Sequence, residues 1–452
     1  MWYALYNVLL VLCSPIILCI LAAKRRCRRG LPERLGLERA GVFDVPSGPE
    51  QVIWIHAVSL GEVVAVVPLA RELRLRYPGS RLIVSTVTET GREAVEQRLA
   101  GVADHRYAPL DFPWAVSRVI HRWRPALYLF VETELWPNML RALQRNGIPS
   151  ILVNGRLSTR SYERQRMGPV RHFYRTMLRT VSMCLMQSDR DMQRIVELGA
   201  DPSRVRRTGN IKFDQPLPQP ATQGVMLSRP LLGIAEGEPV LIAGSTHPEE
   251  EEQLLACYQR LIQKFPSLVL ILAPRHIERA AQVEVMVQAS GIPVARRSTI
   301  GAGAARTTGP RVIILDSRGE LALLYREATV AFVGGTLVPI GGHNLLEPAV
   351  WGKPVLFGPY TDHCAEVAGL LIDAKGGFRA HDAEELAGEL ARLLGDPSRI
   401  TEMGVAAQQV VLQNQGALQR SLDVIAEFLP GSKRPVPPAA DALACGLSGS
   451  RS

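Results

Sequence analysis

The densest group of chemically useful residues in this sequence is FVGGTLVPIGGHNLLEP, residues 332–348. A strand predicted over residues 328–333 runs into two glycine pairs, and a helix is expected to begin near His343 and Asn344 with Glu347 in its first turn. Glycines let backbone N–H groups approach a ligand, and a helix N-terminus offers unpaired N–H groups and partial positive charge. The pattern predicts a phosphate site with Glu347 bonding ribose hydroxyls. The alternative is a tight strand-to-helix turn in which Glu347 only offsets the helix dipole.

A second candidate is the carboxylate that follows the first predicted strand, residues 51–56. The motif HAVSLGE (56–62) places Gly61 where a tight turn is expected and Glu62 at the start of a helix predicted over residues 61–76. A carboxylate in this position can take a proton from an acceptor hydroxyl. The helix dipole is expected to stabilise its ionised form, which keeps Glu62 available but weakens it as a base. The alternative is a simple electrostatic partner of the helix N-terminus.

Polar residues also follow the other predicted strands of the first half. The motif ETELWPN (132–138) forms a rigid polar rim in which Glu132 or Glu134 either binds substrate hydroxyls or caps the helix. In NGRLS (154–158), Arg156 and Ser158 offer a cation and a hydroxyl to an anionic acceptor, or else begin a solvated basic helix.

The second half shows the same arrangement at two further strand ends. The hydroxyls and backbone amides of STH (245–247) suit a phosphate, with an ordinary helix cap as the alternative. In PRH (274–276), Arg275 can pair bidentately with a carboxylate or a phosphate.

Composition limits the classes of protein and partner. The chain has 452 residues, 47% of them hydrophobic, which suffices for two domains plus appendages. Its net charge of +9 favours anionic partners such as a membrane surface, nucleic acid or phosphorylated substrates. Aromatic residues make up only 6%, and no RNP, helix-turn-helix or zinc-finger pattern occurs, which argues against nucleic acid. Seven scattered cysteines without C-x-x-C fit a reduced cytosolic body.

The sequence contains none of the common nucleotide or hydrolase motifs. Walker A, G-x-S-x-G and H-E-x-x-H are absent, and no G-x-G-x-x-G follows the first strand, which argues against a nucleotide-dependent oxidoreductase. The one D-x-D-like element, Asp189-Arg-Asp191, falls on a predicted helix and would hold a metal poorly. We therefore expect metal-independent chemistry without a cofactor.

Strands and helices alternate from residue 51 onward, which predicts parallel sheets with helices on both faces. A stretch rich in Pro and Gln interrupts this rhythm, and a last helix is predicted over residues 398–429. The predicted parts are a membrane anchor with its basic flank (1–30), an N-terminal Rossmann-like domain (31–214), a linker (215–232), a second Rossmann-like domain (233–430) and a disordered tail (431–452). Two doubly wound domains in tandem imply a cleft, and every motif above follows a strand, where such sheets bind ligands.

The N-terminus predicts membrane association. Residues 2–23 are apolar apart from Asn7, Ser14 and Pro15, and about 22 helical residues reach roughly 33 Å, enough to cross a bilayer core. The basic run KRRCRR (24–29) should remain cytoplasmic, together with everything after it. Because the charges follow the apolar run and no A-x-A site precedes them, a cleaved signal peptide is not expected. The alternative is a buried or interfacial helix, and both versions place the protein at an anionic membrane face.

Taken in order, these motifs resemble those of the 3-deoxy-D-manno-octulosonic acid (Kdo) transferases of lipopolysaccharide assembly. The resemblance extends to about residue 429 and includes GNIKFD (209–214) and NQGALQR (414–420) as well as the motifs above. Two departures are Gly155, where many relatives have Ala, and YTDHC (360–364), where relatives often show His-Thr-x-Asn-Phe. No ligand contact is assigned to that last loop.

The resemblance implies a GT-B glycosyltransferase fold, in which two Rossmann-like domains face a cleft. It implies CMP-Kdo as donor, a lipid A precursor (lipid IVA) as acceptor, and inversion at the anomeric centre. It also implies an enzyme of the inner membrane with anionic lipids as partners, its catalytic body on the cytoplasmic side, and no nucleic acid. Donor and acceptor are both anionic, which suits the basic balance of the chain, and the departing phosphate can be stabilised at a helix N-terminus.

Carried onto this chain, the resemblance makes Glu62 the candidate catalytic base. The candidate donor-binding residues are Ser245, Thr246, Pro274, Arg275, Gly335, Thr336, Gly342, His343, Asn344 and Glu347. The candidate acceptor-binding residues are Ser59, Gly61, Glu132, Glu134, Arg156 and Ser158. Two alternatives are a GT-B enzyme that uses a UDP- or ADP-sugar and a catalytically idle, membrane-tethered binder of sugar nucleotides.

Overall fold

The computed structural model describes residues 2–23, 30–37, 51–132, 134–214, 228–300 and 309–429. The chain forms two compact units, the first made of Met1–Asp214 with Gly416–Ser452 and the second of Gln215–Gln415. The predicted basic flank (24–29), most of the predicted linker (215–227) and the predicted tail (431–452) lie outside the described residues.

The sheet of the first unit is parallel throughout, in the order β3-β2-β1-β4-β5-β6-β7. Its strands are β1 (Gln51–His56), β2 (Ser80–Thr86), β3 (Asp104–Tyr107), β4 (Pro125–Val131), β5 (Ser150–Gly155), β6 (Met183–Met186) and β7 (Val205–Arg207). The helices before and between them are α1 (Trp2–Ala23), α2 (Leu31–Arg34), α3 (Leu60–Arg76), α4 (Glu89–Arg98), α5 (Pro113–Trp123), α6 (Pro137–Arg145), α7 (Thr159–Gln165), α8 (Gly168–Leu178) and α9 (Asp189–Leu198).

Both faces of this sheet are buried, as expected for parallel strands that helices cover on either side. In β1, Val52 and Trp54 belong to the hydrophobic cluster on one face, and Ile53 and Ile55 belong to the cluster on the other. The continuous apolar run that results is what made β1 recognisable in the sequence.

The sheet of the second unit is also parallel, in the order β10-β11-β9-β8-β12-β13-β14. Its strands are β8 (Val240–Thr246), β9 (Val269–Pro274), β10 (Val294–Arg296), β11 (Arg311–Ile314), β12 (Val330–Val333), β13 (Val355–Phe357) and β14 (Gly377–Arg379). Its helices are α10 (Glu250–Leu261), α11 (Ala280–Ala289), α12 (Leu321–Leu324), α13 (Leu346–Ala349), α14 (Ala365–Asp373), α15 (Ala383–Leu394) and α16 (Pro397–Asn414).

The end of the described chain differs from the prediction of one helix over residues 398–429. Helix α16 stops at Asn414, and Gly416 adopts a left-handed backbone with φ 88°, so a separate helix α17 (Ala417–Ala426) begins. The Asp214 carboxylate accepts hydrogen bonds from the backbone N–H groups of Gly416 and Leu418 at the start of α17. Apolar residues of α17 then join the core of the first unit, so the second unit ends at Gln415 rather than near residue 430.

Helix α1 packs along one side against the rest of the first unit. The Tyr6 hydroxyl donates to the Asp111 carboxylate at 2.9 Å, and the ring of Tyr3 lies edge-on to that of Phe173 at 5.8 Å. Apolar side chains elsewhere on α1 are open to solvent, with Leu12 69% exposed. None of the helices in the described ranges meets the length and apolarity needed to cross a membrane.

Candidate active site

Glu62 lies just after the carboxyl end of β1, in the first turn of α3. Its side chain is buried, and both carboxylate oxygens are held by the preceding turn. Oε2 accepts the backbone N–H of Val58 at 2.8 Å, and Oε1 accepts the Ser59 hydroxyl at 2.9 Å. The predicted residue Ser59 therefore contacts the candidate base and fixes its orientation.

Burial controls the acidity of Glu62. Loss of solvation raises the pKa of this carboxyl group to about 7, although the hydrogen bonds from Val58 and Ser59 oppose the shift, and the carboxylates of Glu134 and Glu132 add to it. The expectation that the helix dipole would leave Glu62 a weak base is wrong, because desolvation outweighs the charge-stabilising terms. A pKa near neutrality suits a group that must both accept and release protons.

The role predicted for Gly61 in a tight turn is also wrong. Gly61 lies inside α3, is not among the residues with positive φ, and would place a Cβ no closer than 4.0 Å to the Ser59 hydroxyl. Nothing in the local backbone requires glycine there, and a Cβ would fit beside the Ser59 hydroxyl without a clash.

The ETELWPN motif brings two more carboxylates to the same edge of the sheet. Glu132 follows β4 with φ 57°, a left-handed backbone that is strained for a residue with a side chain. Its carboxylate lies 3.6 Å from the Lys212 ammonium, and Glu134 accepts the Trp136 indole N–H at 3.2 Å. The predicted polar rim is therefore present, and Lys212, from the GNIKFD motif, is a cation that sequence reasoning missed.

The NGRLS residues divide between structure and site. The Ser158 hydroxyl accepts the backbone N–H of Ser161 and caps α7, which is the structural alternative for that residue. Arg156 is partly buried in the turn that follows β5. Asn154, at the start of the motif, has φ 55° and accepts the backbone N–H of Ile211, which fixes the GNIKFD segment that carries Lys212.

In the second unit, three predicted donor-site residues form one interacting group. The Asn344 amide donates to the Glu347 carboxylate at 3.3 Å. Burial raises the pKa of Glu347, while Asn344 and the positive charge of Arg275 lower it. Arg275 follows Pro274 at the end of β9 and also lowers the pKa of His343. The loops after β9 and β12 therefore bring a cation, an amide and a carboxylate together.

Two histidines meet beside this group. The Nε2 atoms of His247 and His343 are 2.8 Å apart, and their rings are parallel within 3°. Burial lowers the pKa of both, to about 4 for His343. Both rings are therefore neutral at pH 7, so one Nε2–H donates to the lone pair of the other. His247 was not among the predicted site residues, although it lies in the STH motif.

The phosphate site predicted at the first glycine pair is not available in that form. The backbone N–H groups of Gly335 and Thr336 donate to the buried Glu250 carboxylate, and the N–H of Gly342 donates to the Gly335 carbonyl at 2.8 Å. The predicted helix near Asn344 is only the single turn α13. So short a helix has little of the dipole on which the prediction depended.

The STH loop is likewise occupied by internal contacts. The Thr246 hydroxyl donates to the Glu251 carboxylate at 3.0 Å, and Arg279 binds the same carboxylate through two hydrogen bonds. Ser245 has φ 57° and does not cap α10, whose N-cap is Glu249. The Thr246 hydroxyl is therefore engaged by the protein itself, and the loop is not an ordinary cap of α10. Across the described ranges, no group of three or more His, Cys, Asp or Glu side chains could hold a metal ion.

Comparison with known proteins agrees with this arrangement. A family model described as 3-Deoxy-D-manno-octulosonic-acid transferase (kdotransferase) matches residues 29–215. A 3-deoxy-D-manno-octulosonic acid transferase of Haemophilus influenzae is 36% identical over 434 residues, which cover 95% of this chain and 99% of the relative. The enzyme of the same name from Bordetella pertussis is 34% identical and covers 90% of this chain and 95% of its own.

A structural relative adds to the comparison of folds. A glycosyltransferase from Rickettsia africae matches with a TM-score of 0.52 at 13% identity, covering 85% of this chain and 100% of its own, and it supports the fold alone. Two Rossmann-like units with this likeness confirm the predicted GT-B class of α/β fold. Since the similarity to the two named transferases extends over nearly the whole chain, this protein is a glycosyltransferase that belongs to the 3-deoxy-D-manno-octulosonic acid transferase family.

Proposed function

We propose that this protein transfers Kdo from CMP-Kdo to a lipid A precursor, lipid IVA, with inversion at the anomeric carbon, as a step of lipopolysaccharide core assembly. Membership of the Kdo transferase family supports the sugar that is transferred. The observation that carries the proposed mechanism is Glu62, a buried carboxylate with a pKa of about 7, held by two hydrogen bonds at the carboxyl end of β1.

In the proposed reaction, Glu62 takes the proton of the acceptor hydroxyl. The hydroxyl oxygen then forms a bond to the anomeric carbon of Kdo while the bond from that carbon to the CMP phosphate oxygen breaks. CMP leaves with the bonding electron pair, and attack from the opposite side inverts the centre. The leaving phosphate gains negative charge, which the Arg275 guanidinium is suited to stabilise.

The side chains of the second unit suit a nucleotide-linked acidic sugar. Glu347 and Asn344 provide an acceptor and a donor of hydrogen bonds for ribose hydroxyls, and Arg275 provides a positive charge for the phosphodiester or the sugar carboxylate. The neutral His247 and His343 pair adds polar ring edges without adding charge. None of these roles needs a metal or a cofactor.

The first unit provides groups that suit a phosphorylated acceptor. Lys212 and Arg156 are cations at the carboxyl-terminal ends of the strands, where Glu132 and Glu134 also lie. Cations at these strand ends would bind the phosphates of the lipid A precursor, and the carboxylates would bind its sugar hydroxyls. Ser59 would act through its hydrogen bond to Glu62.

We further propose that α1 attaches the protein to the cytoplasmic face of the inner membrane by lying against the bilayer. Its apolar residues Leu5, Val8, Val11, Leu12 and Ile16 are each at least half exposed, while Tyr6 keeps the helix bound to the first unit. An apolar helix surface of this kind favours insertion among lipid headgroups, and the basic run that follows it in sequence favours anionic lipids. Attachment would raise the effective concentration of a lipid acceptor.

The substitution Glu62→Gln tests the assignment of the base. Glutamine keeps the size of the side chain and can still accept one hydrogen bond, but it cannot take the acceptor proton. We expect transfer to fall by at least about a hundredfold while CMP-Kdo binding stays within twofold of wild type. Glu72→Gln, on the same helix α3, is the matched control. Near-normal turnover in Glu62→Gln would remove Glu62 from the mechanism.

A further inference from the structure

Glu250 is a buried carboxylate with an unusual set of partners. It begins α10 and is fully buried, and each of its oxygens accepts two backbone N–H groups. Oε2 accepts His247 at 3.2 Å and Gly335 at 2.8 Å, and Oε1 accepts Thr336 at 3.1 Å and Leu337 at 2.9 Å. Three consecutive amides of the loop after β12 and one amide of the loop after β8 therefore converge on one side chain.

The fit depends on the glycine before this loop. A Cβ at Gly334 would lie 2.7 Å from Oε2 of Glu250 and 2.5 Å from the Ser245 carbonyl oxygen, so only glycine lets the carboxylate approach. Convergent backbone N–H groups after a glycine are the usual means by which loops bind an external phosphate. Here the protein supplies the anion itself.

The same contacts connect Glu250 to the histidine pair. His247 is held through its own backbone N–H, and Gly335 lies under the ring of His343, where a Cβ would come within 3.0 Å of Cδ2. The Nε2 atoms of His343 and His247 are 2.8 Å apart. A shift of the loop after β12 would therefore separate the two rings. Glu250 fixes both backbone segments on which this pair depends.

We propose that Glu250 is the positioning residue of the donor site. Its carboxylate accepts the backbone N–H groups of residues 335–337, so these N–H groups do not bind the donor. The surrounding side chains bind the donor. The identity of the donor rests on the proposed function, whereas the hydrogen bonding of residues 335–337 to Glu250 does not. The proposal accounts for the two glycine pairs without a phosphate. The first lets Glu250 enter, and the second, Gly341 and Gly342, adopts a left-handed backbone that favours glycine.

Amide hydrogen exchange of the wild-type protein, resolved to single residues, tests directly whether Glu250 occupies the N–H groups of residues 335–337. In the absence of nucleotide, the amides of Gly335, Thr336 and Leu337 should be protected, and saturating CMP should not increase their protection. Amides that exchange freely until CMP is added would show that the loop binds the nucleotide, which would overturn the proposal. If the wild-type protein does not bind CMP at all, the proposed function fails, while protection in the nucleotide-free protein still decides the occupancy by Glu250.

The substitution Glu250→Gln tests whether Glu250 positions the donor site. Since each oxygen accepts two N–H groups, the amide nitrogen of glutamine must face two donors wherever it lies. We expect the KM for CMP-Kdo to rise by about ten- to a hundredfold. The KM for the acceptor and the pH dependence set by Glu62 should not change, a split that general destabilisation would not produce. Glu252→Gln, exposed on the same helix, is the control.

Two outcomes of this second test contradict the positioning role. One is a KM for CMP-Kdo in Glu250→Gln that matches the control, and the other is an equal rise in the KM of both substrates. If Glu250→Gln does not fold, Glu250→Asp takes its place. That variant keeps the charge but is one methylene shorter, so it should lose contact with residues 335–337 and show the same selective rise. A KM for CMP-Kdo equal to that of the control would overturn the proposal.

Discussion

At the scale of single residues, the balance of forces on Glu62 decides whether it can work as a base. Two hydrogen bonds and a helix N-terminus favour its charged form, and burial and two neighbouring carboxylates disfavour it. Burial is the largest of these influences, and it brings the pKa to about 7. An ordinary surface glutamate, with a pKa near 4.3, would accept a proton from a hydroxyl far less readily.

This balance predicts the pH dependence of the reaction. Below pH 7, Glu62 is increasingly protonated and cannot accept the substrate proton, so kcat/KM should fall about tenfold per pH unit. Replacing Glu134 by Gln removes a neighbouring negative charge, so the pKa of Glu62 should fall and the acid limb should move to lower pH. Profiles of kcat/KM for wild type, Glu134→Gln and the control Glu72→Gln measure this. A limb that stays in place or moves to higher pH in Glu134→Gln would contradict the account.

Arg275 carries a separate prediction for the donor. Replacing it by alanine removes a positive charge that acts on both Glu347 and His343, and CMP-Kdo binding should weaken by about ten- to a hundredfold. The pKa of His343 should rise at the same time, because Arg275 now holds it down. Titration calorimetry and the histidine NMR signals measure the two effects. If the variant binds the donor as tightly as wild type, Arg275 lies outside the donor site.

The positions of these residues could be predicted from the sequence, but their surroundings in the fold could not. Glu62 and Arg275 were predictable because each follows an apolar strand in a recognisable motif. The high pKa of Glu62 was not, because it depends on burial and on carboxylates about seventy residues away along the chain. Glu250 was overlooked for a similar reason. Of the four glutamates in the run 249–252, Glu250 and Glu251 are both fully buried, and sequence alone does not show which of the four turn into the core.

At the scale of elements, the strands with the weakest signal in the sequence share one position. They are β3, β7, β10 and β14, which form the two edges of each sheet. Each has only three or four residues, and β3 reads DHRY, without an apolar run. Inner strands are buried on both faces, so their sequences are continuous apolar runs that are easy to recognise. An edge strand is held by hydrogen bonds to one neighbour and does not need such a run.

Helix α1 gives a prediction at this scale. Replacing Val11, Leu12 and Ile16 by serine should reduce cosedimentation with vesicles that contain anionic lipid, because it removes apolar surface that the helix exposes. The contacts of Tyr6 and Tyr3 should keep the helix on the first unit, so the fold should not change. Leu75→Ser, on α3 and also exposed, is the control. Unchanged vesicle binding would move the attachment to another surface.

At the scale of the whole molecule, the candidate groups follow the same topological rule in each unit. In the first sheet, chain order reverses between β1 and β4, and Glu62, Glu132 and Glu134 follow those two strands. In the second sheet, it reverses between β8 and β12, and the loops that follow these strands carry His247 and His343. Ligands of open parallel sheets bind at such switch points, so each unit presents its polar groups where its fold predicts a site.

The alternation of strands and helices made this architecture predictable, but not the return of the chain end to the first unit. That return depends on a break at Gly416 and on contacts from Asp214, which lies two hundred residues earlier. A helix pattern that continues on both sides of Gln415 does not reveal such a break. Long-range capping of this kind has no signature within the helix itself.

The most direct test of the central claim is a transfer assay with the purified full-length protein. Tetra-acylated lipid A precursor and CMP-Kdo, generated in place, are the substrates, and mass spectrometry reads the product. We predict an increase of one or more whole Kdo units in the mass of the acceptor, and at least about a hundredfold less product over the same time when Glu62→Gln replaces the wild type. If the donor stays intact with folded wild-type protein, while a UDP- or ADP-sugar is transferred instead, the assignment of CMP-Kdo as the donor is wrong.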